Sequence, residues 1–384
     1  MPGESDAEID GNRLRLIEEG PERLVTLLQL IDNARSSLCL YYYIFAGDDS
    51  GHQVRDALVA ARGRGVAVTL MIDAFGSART PDAFFQPLID AGGRFGRFGA
   101  RRSTRYLIRN HQKMAIADGE RVVIGGFNVE DGYFACDADE DRWCDLALLA
   151  EGPVAQRLQK WFDLLAGWVL ESEQRFRKLR RLVHHWHDRD GALQWLIGGP
   201  TARLNRWARC VKADLQTANR LDMVAAYFSP GRGMLRRMMR VARRGEARLI
   251  VPLRSDNTMT IGAARFLYRI LLKRGVRIYE YEPCKLHTKL IVMDDIVYVG
   301  SANFDKRSLF LNVELMLRIK DAPFADSVRA MIERREADSR QIDRTVYKAM
   351  AGPVARLRWF ISYMLVGVMD FTVTRRLNFR SEPR

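Results

Sequence analysis

Two histidine–lysine pairs recur with one spacing in the two halves of the chain. Both fit the pattern H-x-K-x4-D, whose members are His111, Lys113, Asp118, His287, Lys289 and Asp294. The composition of this sequence would produce the pattern by chance about 0.01 times per chain. Imidazoles can act as nucleophiles, acids or bases, and lysines can stabilise developing negative charge. The two pairs are therefore the first candidates for chemistry.

A related element follows each pair. GGFN (125–128) ends in Asn128, and GSAN (300–303) ends in Asn303. The interval from the histidine to the first glycine is 14 residues in the first copy and 13 in the second. A hairpin turn that is one residue shorter in the second copy explains this difference.

Each motif is apolar enough to form a strand, and this predicts where its side chains point. Residues two positions apart share a face of a strand, so each histidine should lie on the same side as its lysine. The aspartate comes seven positions later, and we expect Asp118 and Asp294 to face the other side in a supporting role. The alternative is two core strands with incidental polar residues, but buried lysine is rare without a partner and here it recurs in register.

The surrounding elements repeat in the same order, helix, strand, helix, strand. The predicted segments are 21–35, 37–45, 51–64 and 66–73 in the first half, and 202–219, 220–230, 233–245 and 247–252 in the second. Strands that alternate with helices predict an α/β fold, with one α/β/α sandwich domain in each half and a mixed sheet between the helices. Because each half supplies one histidine, we expect the active site at their interface.

The length of 384 residues suits two domains. We predict a first domain over 1–174, a basic linker over 175–191, and a second domain over 192–384. The linker contains three histidines, which could suggest a metal site. No cysteine lies near them and the context is charged, so a solvated connector is favoured. The chain has five cysteines without a CxxC spacing, which favours a reducing compartment over a disulfide or zinc framework.

The paired motifs, their trailing GGFN and GSAN, and NFDKRSLFLNVE (303–314) resemble the phospholipase D superfamily, and within it the bacterial cardiolipin synthases. Further similar segments are YYYIF (41–45), YFSP (227–230), RGVRIYEYEP (274–283) and SLFLNVE (308–314). Two features depart from that family. Many members carry N-terminal membrane helices that this sequence lacks, and WCD (143–145) stands where the family often has Trp-Arg-Asp.

The resemblance implies exchange at a phosphodiester through a phosphohistidine. By resemblance His111 is the nucleophile and His287 the acid, although the sequence alone does not distinguish them. The expected phosphate-binding residues are Lys113, Asn128, Lys289 and Asn303. No metal or other cofactor is required, because lysine and asparagine side chains can meet the phosphoryl oxygens.

A nucleophilic histidine also needs an acceptor at its far ring nitrogen. Asp145 follows His111 by 34 residues and Glu314 follows His287 by 27, each on a later apolar strand. By themselves these acids could equally be ordinary charges at strand ends. Both match the family's imidazole-orienting carboxylate, so the resemblance favours that role.

The leading functional hypothesis is cardiolipin synthesis, the transfer of a phosphatidyl group onto phosphatidylglycerol with release of a small alcohol. Phosphatidylglycerol and phosphatidylethanolamine are the candidate donors. Hydrolysis to phosphatidic acid and a phosphodiesterase acting on nucleic acid are the alternatives, and the net charge of +14 would suit the second. A non-enzymatic polyanion-binding relative is disfavoured because both His-Lys pairs are complete. Nucleases of this superfamily often carry one motif and dimerise, and nucleic acid is therefore an unlikely partner. The oligomeric state stays open.

The same charge would suit an anionic membrane surface. WFISYMLVGVM (359–369) is uncharged, is flanked by arginines, and could lie in the headgroup layer. KWFDLLAGWVL (160–170) is a second apolar stretch, for which packing in the core is favoured. No signal peptide or transmembrane stretch is recognised. We therefore expect a peripheral protein on the cytoplasmic face of the inner membrane.

Overall fold

The computed structural model describes residues 6–99, 108–136, 138–171, 174–201 and 204–366. Two eight-stranded mixed sheets, one from each half of the sequence, are flanked by helices. The predicted α/β fold with two repeated halves is confirmed.

The described part of the first half contains strands β1 (Asp6–Ile9), β2 (Asn12–Ile17), β3 (Ser37–Tyr42), β4 (Ala67–Asp73), β5 (Arg94–Phe98), β6 (Met114–Ala117), β7 (Arg121–Gly125), β8 (Trp143–Cys144) and β9 (Ala147–Glu151). Its helices are α1 (Gly20–Asp32), α2 (Asp49–Gly63), α3 (Gln86–Asp90) and α4 (Pro153–Val169), with short 3-10 turns at Asp82–Phe85 and Asp131–Tyr133. Helix α5 (Phe176–His185) follows and leads to the second half.

The second half contains strands β10 (Leu193–Gly198), β11 (Arg220–Ala225), β12 (Phe228–Ser229), β13 (Glu246–Pro252), β14 (Arg277–Tyr281), β15 (Lys285–Leu286), β16 (Lys289–Met293), β17 (Ile296–Gly300), β18 (Phe304–Asp305), β19 (Glu314–Lys320) and β20 (Ser339–Ile342). Its helices are α6 (Arg206–Thr217), α7 (Arg232–Arg244), α8 (Thr258–Lys273), α9 (Lys306–Phe310), α10 (Ala322–Ala337), α11 (Arg344–Met350) and α12 (Pro353–Met364).

The two sheets share one topology. The first has the order β1-β2-β9-β7-β6-β3-β4-β5, and the second β10-β19-β17-β16-β11-β13-β14-β20. Without the edge strands β1 and β20, the two orders match strand for strand. In both sheets three strands run parallel, β3-β4-β5 and β11-β13-β14, and the others pair antiparallel. The duplication seen in the sequence is therefore a duplication of the whole sheet.

The two sheets are joined by a shared core. One hydrophobic cluster extends from the first sheet through α4 and α10 to the second sheet. Trp161 and Leu165 of α4 and Val328 and Ile332 of α10 are buried in it. The stretch 160–170 therefore packs in the core, as favoured from the sequence. Trp161 also donates from Nε1 to Oε1 of Gln112, between the first motif's histidine and lysine, at 3.2 Å.

The basic segment 175–191 is more ordered than a solvated connector. Phe176, Leu179 and Val183 of α5 are buried, and their spacing places them on one face of the helix. The expectation of a solvated connector is wrong over these residues, because the run of charges hid an amphipathic helix. The domain limits drawn around the segment stay a prediction.

Helix α12 covers most of the apolar C-terminal segment, whose residues 367–369 lie outside the described part. Trp359 and Ser362 are buried against α8, whereas Val354 and Leu357 are exposed. In the described ranges, the structure contains no helix with the length and apolar character needed to cross a bilayer.

The aspartates of the two motifs lie in tight turns. Asp118 begins a three-residue turn between β6 and β7, and Asp294 a two-residue turn between β16 and β17, which accounts for the one-residue difference in spacing. Both adopt left-handed backbone conformations, with φ of 56° and 46°. The Asp118 carboxylate accepts hydrogen bonds from the backbone N–H groups of Arg35, Ser36 and Ser37. The Asp294 carboxylate accepts equivalent hydrogen bonds from backbone N–H groups at the start of β11.

Asp118→Asn should destabilise the fold and leave the chemistry intact. Asparagine tolerates the left-handed conformation but removes the charge, so we expect a loss of about 1 kcal/mol in urea unfolding at neutral pH. Burial alone would raise the pKa of Asp118, but the N–H groups of Ser37, Arg35 and Ser36 outweigh it and lower the pKa to about 2. The difference between the two proteins should therefore shrink as the pH falls from about 4 towards 2. Loss of activity at unchanged stability would instead indicate a direct chemical role.

Candidate active site

Backbone pairing between the halves places both histidines. The N–H of His111 donates to the carbonyl of Val313 at 2.8 Å, and the N–H of Val313 donates to the carbonyl of Arg109 at 2.9 Å. In the equivalent position the N–H of His287 donates to the carbonyl of Cys144 at 2.8 Å, and β15 pairs in parallel with β8. Each histidine thus lies in an extended segment just before its strand and is hydrogen-bonded to the other half.

Each histidine is likewise paired with a carboxylate from the other half. His111 Nδ1 lies 3.2 Å from Oε2 of Glu314, and His287 Nδ1 lies 2.6 Å from Oδ2 of Asp145. All four side chains are buried. The two predicted orienting acids are therefore brought to the imidazoles, but each contacts the histidine of the other half. Distance along the sequence within one half does not reveal this exchange.

The lysines of the two motifs are also buried beside the histidines. Lys113 Nζ donates to the backbone carbonyl of His111 at 2.7 Å. Lys289 Nζ lies 2.7 Å from Nδ1 of His287 and 3.8 Å from Oδ2 of Asp145. The expectation that each histidine shares a side with its lysine is met in both halves.

The two asparagines have different surroundings. Asn128 accepts a hydrogen bond from the N–H of Ile44 and donates from Nδ2 to the hydroxyl of Tyr133, both at 3.1 Å. Asn303 is buried, and its Oδ1 has no hydrogen-bond partner among the described residues. The second asparagine is thus the less constrained of the two.

The two carboxylates are supported unequally. Glu314 accepts hydrogen bonds from the hydroxyls of Ser301 at 2.5 Å and Ser308 at 2.7 Å. Gly126 takes the place of Ser301 in the first half, where an added Cβ would lie 2.6 Å from Oδ1 of Asp145. The difference between GGFN and GSAN in the sequence is the signal for this asymmetry, and sequence reasoning did not use it.

Two buried arginines outside the motifs also support the site. Arg23 of α1 donates to the backbone carbonyls of Asp145 at 2.8 Å and Tyr133 at 2.6 Å. Arg335 of α10 donates to the hydroxyl of Thr288 at 2.8 Å. Both arginines lie among the buried residues of their helices, where the sequence gives no motif to mark them.

Burial sets the charge of the imidazoles. It is the largest cause that lowers the pKa of His111 to about 4, followed by Lys113, and Glu314 only partly opposes them. Burial and then Lys289 lower the pKa of His287 to about 4 as well. At pH 7 the free site therefore holds two neutral imidazoles. A nucleophile and an acid need opposite protonation states, so a bound substrate would have to create that difference.

The pKa values of the two lysines and of the two carboxylates are all lowered, but for different reasons. Burial lowers the pKa of Lys289 to about 8 and that of Lys113 well below its usual value. Burial also opposes ionisation of Asp145, but Lys289 and His287 outweigh it and hold its pKa below the usual value. Burial opposes ionisation of Glu314 likewise, and His111 and Lys113 outweigh it. Within the described ranges, no three His, Cys, Asp or Glu side chains are grouped so as to hold a metal ion.

A duplicated mixed sheet with two His-Lys pairs at one shared site defines an enzyme of the phospholipase D superfamily. The family model described as "Cardiolipin synthase, PLD-like domain" matches residues 27–166 and 212–335, and the chain belongs to this family.

The similar proteins include cardiolipin synthases of two bacterial groups. Cardiolipin synthase A of Pseudomonas syringae pv. syringae (strain B728a) is 31% identical over 330 residues, which cover 84% of this chain and 68% of that protein. Cardiolipin synthase 2 of Bacillus anthracis is 30% identical over 331 residues, which cover 83% of this chain and 63% of that protein. The chain thus matches roughly two thirds of the length of these relatives.

Two solved structures share the fold at low sequence identity. The match to phosphatidylserine synthase of Haemophilus influenzae Rd KW20 has a TM-score of 0.72 at 14% identity. It covers 93% of this chain and 95% of the synthase chain. Polyphosphate kinase of Porphyromonas gingivalis has a TM-score of 0.59 at 14% identity, covering 88% of this chain and 49% of its own. At such identity the likeness shows the fold alone.

Binding of a phosphate-like anion should be accompanied by proton uptake. At pH 7 both imidazoles are neutral because their pKa is about 4. A tungstate dianion between them would raise the pKa of one, so we expect uptake of about one proton per site. Calorimetric titration in buffers of different ionisation enthalpy measures this number. Binding without proton exchange would mean that the anion does not contact the imidazoles.

Proposed function

We propose that the protein is a phosphatidyltransferase of the cardiolipin synthase type. It would transfer a phosphatidyl group from one phospholipid onto a hydroxyl of phosphatidylglycerol, forming cardiolipin and releasing a small alcohol. The observation that carries this proposal is the meeting of two buried imidazole–carboxylate pairs, one histidine from each half, beside two lysines. Membership of the family supports the lipid substrate.

The geometry suggests which ring atoms react. In both histidines Nδ1 faces a carboxylate, so Nε2 is left to meet the substrate. In the first step Nε2 of His111 attacks phosphorus, the bond to the leaving alcohol breaks, and Nε2 of His287 gives that oxygen its proton. In the second step His287 takes a proton from phosphatidylglycerol, whose oxygen attacks phosphorus and releases His111. The assignment of His111 as nucleophile follows the resemblance, because the two imidazoles are similarly held.

The other motif residues bind and position. Lys113 and Lys289 would balance the charge of the phosphoryl oxygens, and the amide groups of Asn128 and Asn303 would donate hydrogen bonds to them. The phosphodiester brings a negative charge between two neutral imidazoles, so it favours the protonated form of one. Asp145 and Glu314 orient the rings, and the turn residues Asp118 and Asp294 act only on the fold. None of these steps needs a metal ion.

We also propose that α12 contacts the membrane from its cytoplasmic side. The large apolar side chains exposed on α12 are Val354, Leu357, Phe360 and Ile361, and exposed Leu365 follows its end. Ser362, near the end of α12, packs at Gly262, near the start of α8, and α8 follows the end of β13 that lies beside the site. Helix α12 therefore packs on the helix that follows this end of β13.

Products from phosphatidylglycerol vesicles test the proposed activity. Mass spectrometry should find more cardiolipin than phosphatidic acid, with and without added phosphatidylethanolamine. His111→Ala and His287→Ala should each lower turnover at least about 1,000-fold, because one variant lacks the nucleophile and the other the acid. Only one of them should lose the covalent phosphatidyl-enzyme. Dominant phosphatidic acid would indicate a hydrolase, and cleavage of DNA or RNA without lipid turnover a nuclease.

Removal of apolar side chains from α12 should weaken vesicle binding without loss of stability. Val354 and Leu357 are 82% and 60% exposed, so the double serine variant loses few contacts within the fold. We expect at least about tenfold weaker binding to phosphatidylglycerol vesicles, since each side chain contributes about 1 kcal/mol or more when it leaves water. Val25→Ser with Leu164→Ser, also exposed, is the matched control. Equal binding by both variants would exclude α12 as the contact.

A further inference from the structure

A cavity of about 700 Å³ lies between α5 and the start of α6, outside the His-Lys site. Its lining includes five arginines and three histidines. Among the described residues that form the lining, none is acidic. Five arginines around one concave surface create a positive potential that attracts anions.

Two of these arginines are exposed to solvent. Arg181 lies on the α5 side of the cavity and Arg209 on the α6 side. Arg206 is hydrogen-bonded to Nδ1 of the His187 ring, so this contact does not neutralise its charge. The start of α6 adds the positive end of a helix dipole at the same place.

The cavity is a close neighbour of the proposed catalytic groups. Gly198, the last residue of β10, pairs with Glu314 in the sheet. Asn205 lines the cavity and donates from Nδ2 to the carbonyl of Ser308 at 2.8 Å. The hydroxyl of Ser308 in turn donates to Glu314 at 2.7 Å. Two hydrogen bonds therefore connect the cavity wall to the carboxylate that holds His111.

The shape and lining favour a lipid headgroup over nucleic acid. Val183, Ile197 and Leu204 give the cavity an apolar part beside its cationic rim. Single-stranded nucleic acids are usually held by aromatic rings along an extended groove. In the described lining no phenylalanine, tyrosine or tryptophan is present. A phosphate attached to a glycerol backbone matches both parts of this surface.

We propose that this cavity binds the phosphate of an anionic phospholipid headgroup and holds a lipid at the rim of the active site. The lipid nature of the ligand rests on the proposed function. The phosphate chemistry rests on the cationic lining alone.

Charge reversal in the cavity tests the proposal. Arg181→Glu with Arg209→Glu changes two exposed side chains, and Arg240→Glu with Arg243→Glu on α7 changes the net charge equally at exposed positions elsewhere. With mixed phosphatidylglycerol–phosphatidylcholine vesicles, the cavity variant should bind at least about tenfold more weakly and the control variant no more than about twofold. Equal weakening in both variants would show a general surface effect and overturn the proposal.

Competition separates the possible sources of the phosphate. Soluble short-chain phosphatidylglycerol should displace vesicles from the wild-type protein. It should not displace the vesicles that the cavity variant still binds. Displacement by inorganic phosphate as effectively as by the lipid, or tighter cavity-dependent binding of a single-stranded oligonucleotide, would overturn the lipid assignment. Vesicle binding needs no turnover. Cavity-dependent binding without cardiolipin formation would therefore leave this site standing and reject the proposed function.

Discussion

The parallel backbone pairing between the two halves is the contact on which the site depends. The segments before His111 and His287 each pair with a segment that also carries an acid, Glu314 in one case and Asp145 in the other. Because the pairing is between backbones, it brings the main chain of each histidine close to that of its acid, so that side-chain torsions need only complete the contact. A shift of one half against the other would separate both pairs together.

Burial of these imidazole–carboxylate pairs costs free energy, because their polar groups are withdrawn from water. Ionised groups withdrawn from water are tolerated only when they are paired and hydrogen-bonded, and the two acids meet this condition in different ways. Glu314 has two serine hydroxyls, whereas Asp145 has a closer imidazole, a nearby lysine and no room for a side chain at Gly126. The duplicated sheet is thus symmetric in its backbone and asymmetric where charge is held.

The sequence was sufficient for the repeated sheets, the pairing of each histidine with its lysine, and the hairpin turn that is one residue shorter in the second half. These features follow from local periodicity and spacing, and the structure confirms them. Asp118 and Asp294 were expected on the opposite face of their strands, but both lie in the turns that follow. The crossing of Asp145 and Glu314 could not be predicted, because it depends on how the halves dock. Helix α5 was missed because its charges obscured a three-residue apolar face. The lowered pKa of both imidazoles depends mainly on burial, which no motif encodes.

The crossing also has a consequence for how the protein folds. The contact between His111 and Glu314 joins residues 203 positions apart, and that between His287 and Asp145 joins residues 142 apart. Contacts so distant in sequence close only after the intervening chain has become compact, because loop closure costs entropy. During synthesis the first sheet can form before β19 exists, yet His111 then has no carboxylate. Activity should therefore appear in refolding after both sheets have formed, with the kinetics of their docking.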